Sequence, residues 1–462
     1  MPAGATPDEP LPLAEAIARA VRDAGGRALI VGGWARDTLL GRVSKDIDLE
    51  VFGVEASALK ALLETFGRVD TVGESFTVYK IAGLDVSLPR RESKTGRGHK
   101  GFTVVGDPTL SMEDAARRRD FTINAISFDP LTGEYLDPFN GRADLAAGIL
   151  RVVDSATFAD DSLRVLRALQ FAARFELTLD ERTKEICRAI PLDDLPSERV
   201  WGEIEKLLLA AERPSIGFAL ALELGVIDAL FPGLKALVGC EQEPEWHPEG
   251  DVWVHTLQVI DRARERIHDL QHAQAVTVML GALCHDLGKP ATTAFIDGRI
   301  RSPFHEEAGV APANTLLDTL NVNSIDGYDV RGQVVGIVAN HLKPGAFHKV
   351  PNVSDGAFRR LALKVDLELL ARVAKADCLG RVPGNFDCTA MEWFVERARA
   401  LGVEHGAPKP FVLGRHVLAH GVTPGPHVGI VLKQIYEMQL DGRVTNLEEG
   451  LVELEKLLRS QA

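Results

Sequence analysis

The chain has 462 residues, 45% hydrophobic and 26% charged, with a net charge of −14. That length implies two to four domains and more than one core. No apolar run reaches the roughly 18–20 residues of a membrane helix, and the acidic total argues against coating nucleic acid by bulk charge. The start, MPAGATPDEP, has neither the basic nor the apolar region of a secretion signal, so a cytoplasmic protein is expected. The five cysteines (187, 240, 284, 378 and 388) include no Cys-x-x-Cys pair. They are expected as reduced thiols, with neither a disulfide frame nor a zinc knuckle.

Residues 12–25 carry apolar positions at helical spacing. ALIVGG (28–33) predicts a buried strand ending in a Gly-Gly turn, WARDTLLG a short helix closed by Gly41, and KDIDLEVFG (45–53) an alternating strand. A helix is expected over 55–67, two short strands over 76–88, and a Gly- and Lys-rich loop over 89–106. Up to about residue 150 the pattern is α/β, with strands over 46–51, 79–81, 85–88 and 126–128. Between Arg90 and Asp120 eight Lys/Arg stand against five Asp/Glu, a locally basic stretch in an acidic chain. From Ala159 onward FADDSLRVLRALQFAARF, DERTKEICRAI and ERVWGEIEKLLLAA read as successive amphipathic helices. The segment EPEWHPEG near 242–250 and RVPGNFD at 381–387 mark further breaks, and 408–462 ends in an amphipathic helix. No fixed-period repeat is present.

Two features carry chemistry near the N-terminus. Gly32-Gly33 follows a strand and opens a helix, where backbone N–H groups can approach a phosphate. Asp46 and Asp48 are two apart on a strand, so both carboxylates face one side. They repel unless a cation sits between them, and Mg²⁺ with oxygen ligands fits. A bare Asp-x-Asp is far more often two solvated carboxylates. A phosphate-accepting turn just ahead of the pair is what metal-dependent phosphoryl or nucleotidyl transfer requires. Asp85 on a later strand is a candidate third catalytic carboxylate, equally readable as a strand-edge Asp.

LIVGGWARDTLLG with KDIDL, then RRESKTGRGHKGF, RRRDFTINAI, DPFNGRADL and DDSLRVLRALQFAARF resemble, in order, the motifs of the class II tRNA nucleotidyltransferase/poly(A) polymerase family. The resemblance implies an α+β protein: a polymerase-beta-like head followed by all-helical neck, body and tail. It implies that Gly32, Gly33 and Arg36 contact a nucleotide and that Asp46 and Asp48 hold the metal. It further implies that Arg119, Asp120 and Asn124 meet the sugar and phosphates, with Arg117 and Arg118 left as RNA-backbone partners or surface. Asp161, Arg164 and Arg167, three apart, are expected along one helix face. A carboxylate accepts from cytosine N4 or adenine N6 while a guanidinium donates to the ring acceptor, so that edge selects C and A and rejects U and G. Asp160 stands where the family commonly has Glu. KTGRGHKGF (94–102) resembles the loop the family uses when switching from C to A addition.

A second set of residues follows: His255, His285-Asp286, His305, His341 and Asp377. The ordered set resembles the HD phosphohydrolase superfamily. Imidazoles with carboxylates suit Mn²⁺, Fe²⁺, Ni²⁺ or Zn²⁺, and His305 and His341 leave room for a second ion. EWHPEGDVWVHT resembles the bacterial subgroup associated with 2′,3′-cyclic phosphodiesterase, 2′-nucleotidase and phosphatase activities. VLAHGVTPGPHVGIVLKQIYEMQLDGRVTN (417–446) resembles the family's tail, where a helix start after Pro424-Gly425-Pro426 could meet an RNA phosphate or simply pack.

The resulting expectation is a Mg²⁺-dependent enzyme adding CCA to tRNA 3′ ends from CTP and ATP, with no membrane partner. Expected domains are a head at 24–150, a neck at 151–241, an HD-type metal body at 242–385 and a tail at 386–462. A poly(A) polymerase, an enzyme adding only A or only CC, and a metal-dependent HD phosphohydrolase as the main activity stand as alternatives. Oligomeric state is not legible.

Overall fold

The computed structural model describes residues 10–44, 46–72, 78–94, 102–384 and 386–460. It divides into two compact units, residues 1–207 with 220–229 and residues 208–219 with 230–462.

The first unit is built on a seven-stranded mixed sheet in the order β3-β4-β5-β2-β1-β8-β9. Its strands are β1 (Arg27–Val31), β2 (Ile47–Phe52), β3 (Asp70–Val72), β4 (Val78–Ile81), β5 (Leu84–Ser87), β8 (Ser127–Phe128) and β9 (Tyr135–Leu136). β1 lies near the centre and is covered on both faces, which is why its sequence is an unbroken apolar run. Ala28 and Ile30 join the larger core, while Leu29 and Val31 join a smaller one on the opposite face. The larger core also takes in Ala14, Ile17, Ala18 and Val21 from the helix Pro10–Asp23, upstream of residue 24. The segment 89–106, expected as a loop, instead supplies β6 (Arg90–Lys94) and β7 (Phe102–Gly106), which pair antiparallel. Its Gly/Lys composition is concentrated in 95–101, outside the described residues, and the alternating flanks pair across it.

Beyond these strands the first unit is helical apart from a two-stranded parallel pair, β10 (Ile149–Leu150) and β11 (Thr178–Leu179). The stretch expected as one helix over 158–175 is two, Ser155–Phe158 and Leu163–Phe175. Phe121 is fully buried between Phe158 and Phe171, with ring centroids 5.5 and 5.8 Å away, both edge-on.

The second unit is mostly helical, with one antiparallel hairpin of β12 (Ala294–Ile296) and β13 (Arg299–Arg301). Its helices Val252–Arg264, His272–Cys284 and Leu367–Leu379 carry long buried faces. Near the C-terminus Val412, Val417, Val431, Ile435 and Leu454 form a separate small core. Cys378 and Cys388 are joined in a disulfide with Cα atoms 6.0 Å apart, correcting the expectation of five free thiols. Spacing alone hid it, because the turn after Leu367–Leu379 brings two cysteines ten residues apart into bonding range. Cys187, Cys240 and Cys284 are free. No helix among the described residues is long and apolar enough to cross a membrane.

Truncating Phe121 to Ala should lower the stability of the first unit by about 3–5 kcal/mol in urea unfolding, since the rings of Phe158 and Phe171 would face a cavity. A loss below about 1 kcal/mol would show that this ring cluster is not cohesive.

Candidate functional site

The alternation of β2 builds the first site. Ile47, Leu49 and Val51 enter the larger core, so Asp48 and Glu50 face the other side of the sheet. Register places Asp48 opposite Val31 on β1 and Asp85 on β5. Asp46 lies just ahead of β2. Gly32, with φ +74°, turns the chain at the end of β1. That left-handed conformation suits glycine, and it places the turn beside Asp48 Oδ2 and Arg119 Nη1, each 3.5 Å from where a Cβ would stand.

Burial first, and then the neighbouring Asp85 and Asp46 carboxylates, push the Asp48 carboxyl above its ordinary range against the pull of Arg119. Lys80 Nζ offsets part of this charge, 2.8 Å from both Asp85 oxygens. Oxygen donors crowded in this way fit a hard divalent cation.

Asp48 also borders a cavity of 530 Å³ lined by nine Lys/Arg against three Asp, so the field is locally positive despite the acidic total. Arg36 is buried, donating to Asn124 Oδ1 at 2.6 Å and Asp37 Oδ1 at 2.8 Å, with its guanidinium 4.3 Å above the Phe175 ring. Asp120 accepts from Phe121 N at 2.8 Å, Asn124 Nδ2 at 2.9 Å and Arg167 Nε at 2.7 Å. Burial alone would raise its carboxyl, but Arg167 and Asn124 outweigh burial and hold it below the usual range. Arg36, Asp120, Asn124 and Arg167 thus form one connected network in the cavity wall.

The expected helix face needs one correction. Arg164 and Arg167 lie on the helix Leu163–Phe175, but Asp161 lies in the turn before it. Its Oδ1 accepts from Leu163 N at 3.2 Å. Short carboxylates prefer this helix-starting position, where free N–H groups need an acceptor. Arg164 donates to the carbonyls of Thr157 at 3.1 Å and Arg118 at 2.9 Å, which aims its guanidinium. Asp161 is gripped in a two-pronged pair by Arg199, at 3.0 and 2.8 Å. That pair overcomes partial burial and keeps the Asp161 carboxyl below its ordinary range.

Sequence reasoning missed Glu50, Arg174, Arg199 and Lys206. Glu50 was findable, since Asp48-x-Glu50 continues the period of two. Arg118 was expected as an RNA-backbone partner or surface residue. Instead it donates to the buried Glu50 at 2.7 Å and lines the cavity. The loop at 94–102 lies almost wholly outside the described residues.

The second unit gathers the remaining candidates. His285, His305 and His341 each place Nδ1 2.8–2.9 Å from the carbonyl three residues upstream, of Ala282, Ser302 and Val338. His255 Nδ1 faces Glu249 Oε1 at 2.7 Å. Every Nε2 therefore turns inward, the tautomer a metal needs. His255 Nε2 is 3.0 Å from Asp377 Oδ1, His285 Nε2 3.1 Å from Asp286 Oδ2, and His305 Nε2 3.4 Å from Asp286 Oδ1. His305 and His341 meet through Nε2 at 3.2 Å. Asp286 is shared by two triads, one with His255 and His285 and one with His305 and His341.

Both Asp286 oxygens and His285 Nε2 are buried without a well-aligned hydrogen-bond partner, although Lys289 Nζ stands 2.7 Å from Oδ2. Orphaned atoms of this kind among converging ligands fit divalent metal, which the two triads would hold. Glu249, which the sequence reading passed over, supplies the outer carboxylate behind His255.

The family described as Poly A polymerase head domain matches residues 28–151, and that described as Probable RNA and SrmB-binding site of polymerase A matches residues 176–237. The multifunctional CCA protein of Xanthomonas campestris pv. campestris (strain B100) is 36% identical over 419 residues, covering 87% of this chain and 95% of that protein. That of Laribacter hongkongensis (strain HLHK9) is 38% identical over 303 residues, covering 64% of this chain and 71% of that protein. Among solved structures, the Bacillus stearothermophilus CCA-adding enzyme in complex with CTP aligns with a TM-score of 0.65 at 21% identity, over 99% of each chain. The Thermotoga maritima CCA-adding enzyme complexed with tRNA aligns with a TM-score of 0.57 at 19% identity, over 97% of this chain and 95% of that one.

Gly288 tests the second cluster without touching a ligand. A Cβ there would lie 2.0 Å from the His305 carbonyl oxygen and 2.5 Å from Gly309 N. Gly288→Ala should therefore displace the His305 turn and weaken Mn²⁺ or Co²⁺ binding by about 10–100-fold, the scale of a disturbed supporting contact. Unchanged affinity would show that His305 is not held by this packing.

Proposed function

The chain belongs to the family of multifunctional CCA proteins, and we infer that it adds C, C and A to tRNA 3′ ends from CTP and ATP. The observation that carries this reading is Asp48: crowded by Asp85 and Asp46, facing the Gly32 turn, and at the edge of a cation-lined cavity. Asp46 and Asp48 would hold the family's divalent metal, Mg²⁺, with Asp85 beside them. Once bound, it lowers the pKa of the attacking 3′-hydroxyl and offsets charge on the triphosphate.

The protein's own groups do the rest. The open Gly32-Gly33 turn and Arg119 admit the phosphates, while Arg36, Asp120, Asn124 and Arg167 fix the wall on which the nucleotide rests. Asp161 and Arg164 read the incoming base. Arg199 keeps Asp161 ionised, hence an acceptor only, so it takes the amine of C or A and meets the carbonyl of U or G with repulsion.

Asp48→Ala should reduce nucleotide addition to a tRNA ending before CCA by about 100–1,000-fold, the scale expected when an electrostatic anchor of the reaction is removed. Residual addition within tenfold of wild type would contradict the metal-holding role. Asp161→Ala should cut the preference for CTP over UTP by about 5–150-fold, equivalent to about 1–3 kcal/mol for one well-formed contact to a base. An unchanged CTP/UTP ratio would place base selection elsewhere. Each NTP supplied singly separates the family alternatives: a long tail from ATP alone would mark a poly(A) polymerase.

A second reading rests on the four imidazoles that turn Nε2 toward Asp286 and Asp377. We infer a dinuclear phosphohydrolase site, holding Mn²⁺, Ni²⁺, Fe²⁺ or Zn²⁺. His285→Ala and Asp286→Ala should abolish phosphoester hydrolysis and leave nucleotide addition within about twofold, because sites that share no residues behave additively. Joint loss of both activities would contradict separate sites.

A further inference from the structure

One acidic residue of β2 has no part in the roles described so far. Glu50 follows Asp48 at the strand period of two and stands on the same face of the sheet, opposite Leu29 on β1 and Ser87 on β5. It is only 3% exposed. A carboxylate buried that deeply is unfavourable unless positive groups hold it.

Its two oxygens are divided between two consecutive arginines. Arg118 Nη2 donates to Oε1 at 2.7 Å, and Arg119 Nη2 stands 3.6 Å from Oε2. Both arginines follow directly on the helix Met112–Arg117, so one short segment carries them to the sheet. Glu50, Arg118 and Arg119 line a cavity of 220 Å³ together with Asp48 and Asp85. Arg119 therefore has a choice of carboxylates. Its charge is felt at Asp48, yet among the described residues its ion pair is with Glu50. Its other terminal nitrogen, Nη1, is left beside the Gly32 turn, 3.5 Å from where a Cβ would stand.

That division bears on metal binding, because an arginine and a divalent ion compete for the same carboxylate oxygens. A guanidinium is a planar fork of donors that matches a carboxylate in two-pronged fashion. Closed on Asp48, it would occupy the lone pairs an ion needs, and it would be lost to the phosphates. We propose, resting on the reading of Asp46 and Asp48 as metal holders, that Glu50 is a positioning residue. It draws Arg119 away from Asp48, leaving the carboxylate open to the metal and the guanidinium open to the triphosphate. A carboxylate that merely filled space under the sheet would have no bearing on what Asp48 binds.

The test reads metal binding directly. Mn²⁺ is titrated into the full chain and followed by electron paramagnetic resonance, with His285→Ala and Asp286→Ala as the common background to disable the histidine cluster. In that background Asp48→Ala should abolish the remaining binding; binding that persists would sink the metal-holding reading, and this role of Glu50 with it. Glu50→Gln, equal in size but uncharged, should weaken Mn²⁺ binding about tenfold, and Glu50→Asp should recover most of the loss. In an Arg119→Gln chain, which has no guanidinium to misplace, Glu50→Gln should change Mn²⁺ affinity by less than about twofold. Binding that depends on Asp48 but is unmoved by Glu50→Gln overturns the proposal alone. So does an equal weakening with and without Arg119, which would mean that Glu50 acts only through its own charge.

Addition to a tRNA ending before CCA gives a second readout. In Glu50→Gln the Mg²⁺ concentration for half-maximal rate should rise about tenfold. Its kcat at saturating Mg²⁺ should stay within about threefold of wild type, since excess ion displaces the arginine. A fall in kcat with an unchanged Mg²⁺ requirement would mark a structural role and overturn the proposal.

Discussion

Two carboxylates on neighbouring parallel strands, Asp48 and Asp85, stand in direct register on one face of the sheet, with a third, Asp46, just ahead. Like charges set side by side in this way are tolerated only with positive charge nearby. Lys80, Arg118, Arg119 and the cation-rich cavity beside them supply it. The site is thus electrostatically unfinished, favouring a bound cation and a polyanion together, in a chain whose overall charge would repel the polyanion.

The buried pair of Asp120 and Arg167 secures that arrangement. Asp120 belongs to the segment feeding the 3₁₀ turn Thr122–Asn124, and Arg167 to the helix Leu163–Phe175, so one carboxylate links sheet-side and helical parts within the first unit. Through Asn124 the link reaches Arg36 beside the Gly-Gly turn. Removing one member of such a network strands its partners, so its effect should exceed that of a surface pair. The second unit uses a different device: backbone carbonyls three residues upstream fix three imidazole tautomers, and Glu249 faces the fourth.

Much of this was legible in the sequence, and the failures have physical reasons. The apolar run of β1, the alternation of β2 and the ordered motifs placed the head strands and the carboxylates. The histidine set was visible because its ordered His and Asp residues resemble the HD superfamily, although His285, Asp286 and His341 lie in turns outside the helices. Asp161 was put on a helix by its spacing of three, but helix starts recruit Asp outside the helix itself. Arg199 lies 38 residues from its partner Asp161, and nothing local marks it. Arg174 and Lys206 read as ordinary charged helix faces until the cavity gathers them. The pairing of β6 with β7 and of Cys378 with Cys388 depends on how chain segments meet, which composition does not encode.

The central claim is that Asp46 and Asp48 grip a divalent ion beneath a nucleotide whose base meets Asp161 and Arg164. A crystal grown with Mn²⁺ and CTP, analysed by anomalous scattering, tests it directly. A manganese peak within coordination distance of both carboxylates, with the cytosine amine against Asp161, is the predicted result. CTP lodged away from Asp161, or manganese confined to the histidine cluster, would contradict it.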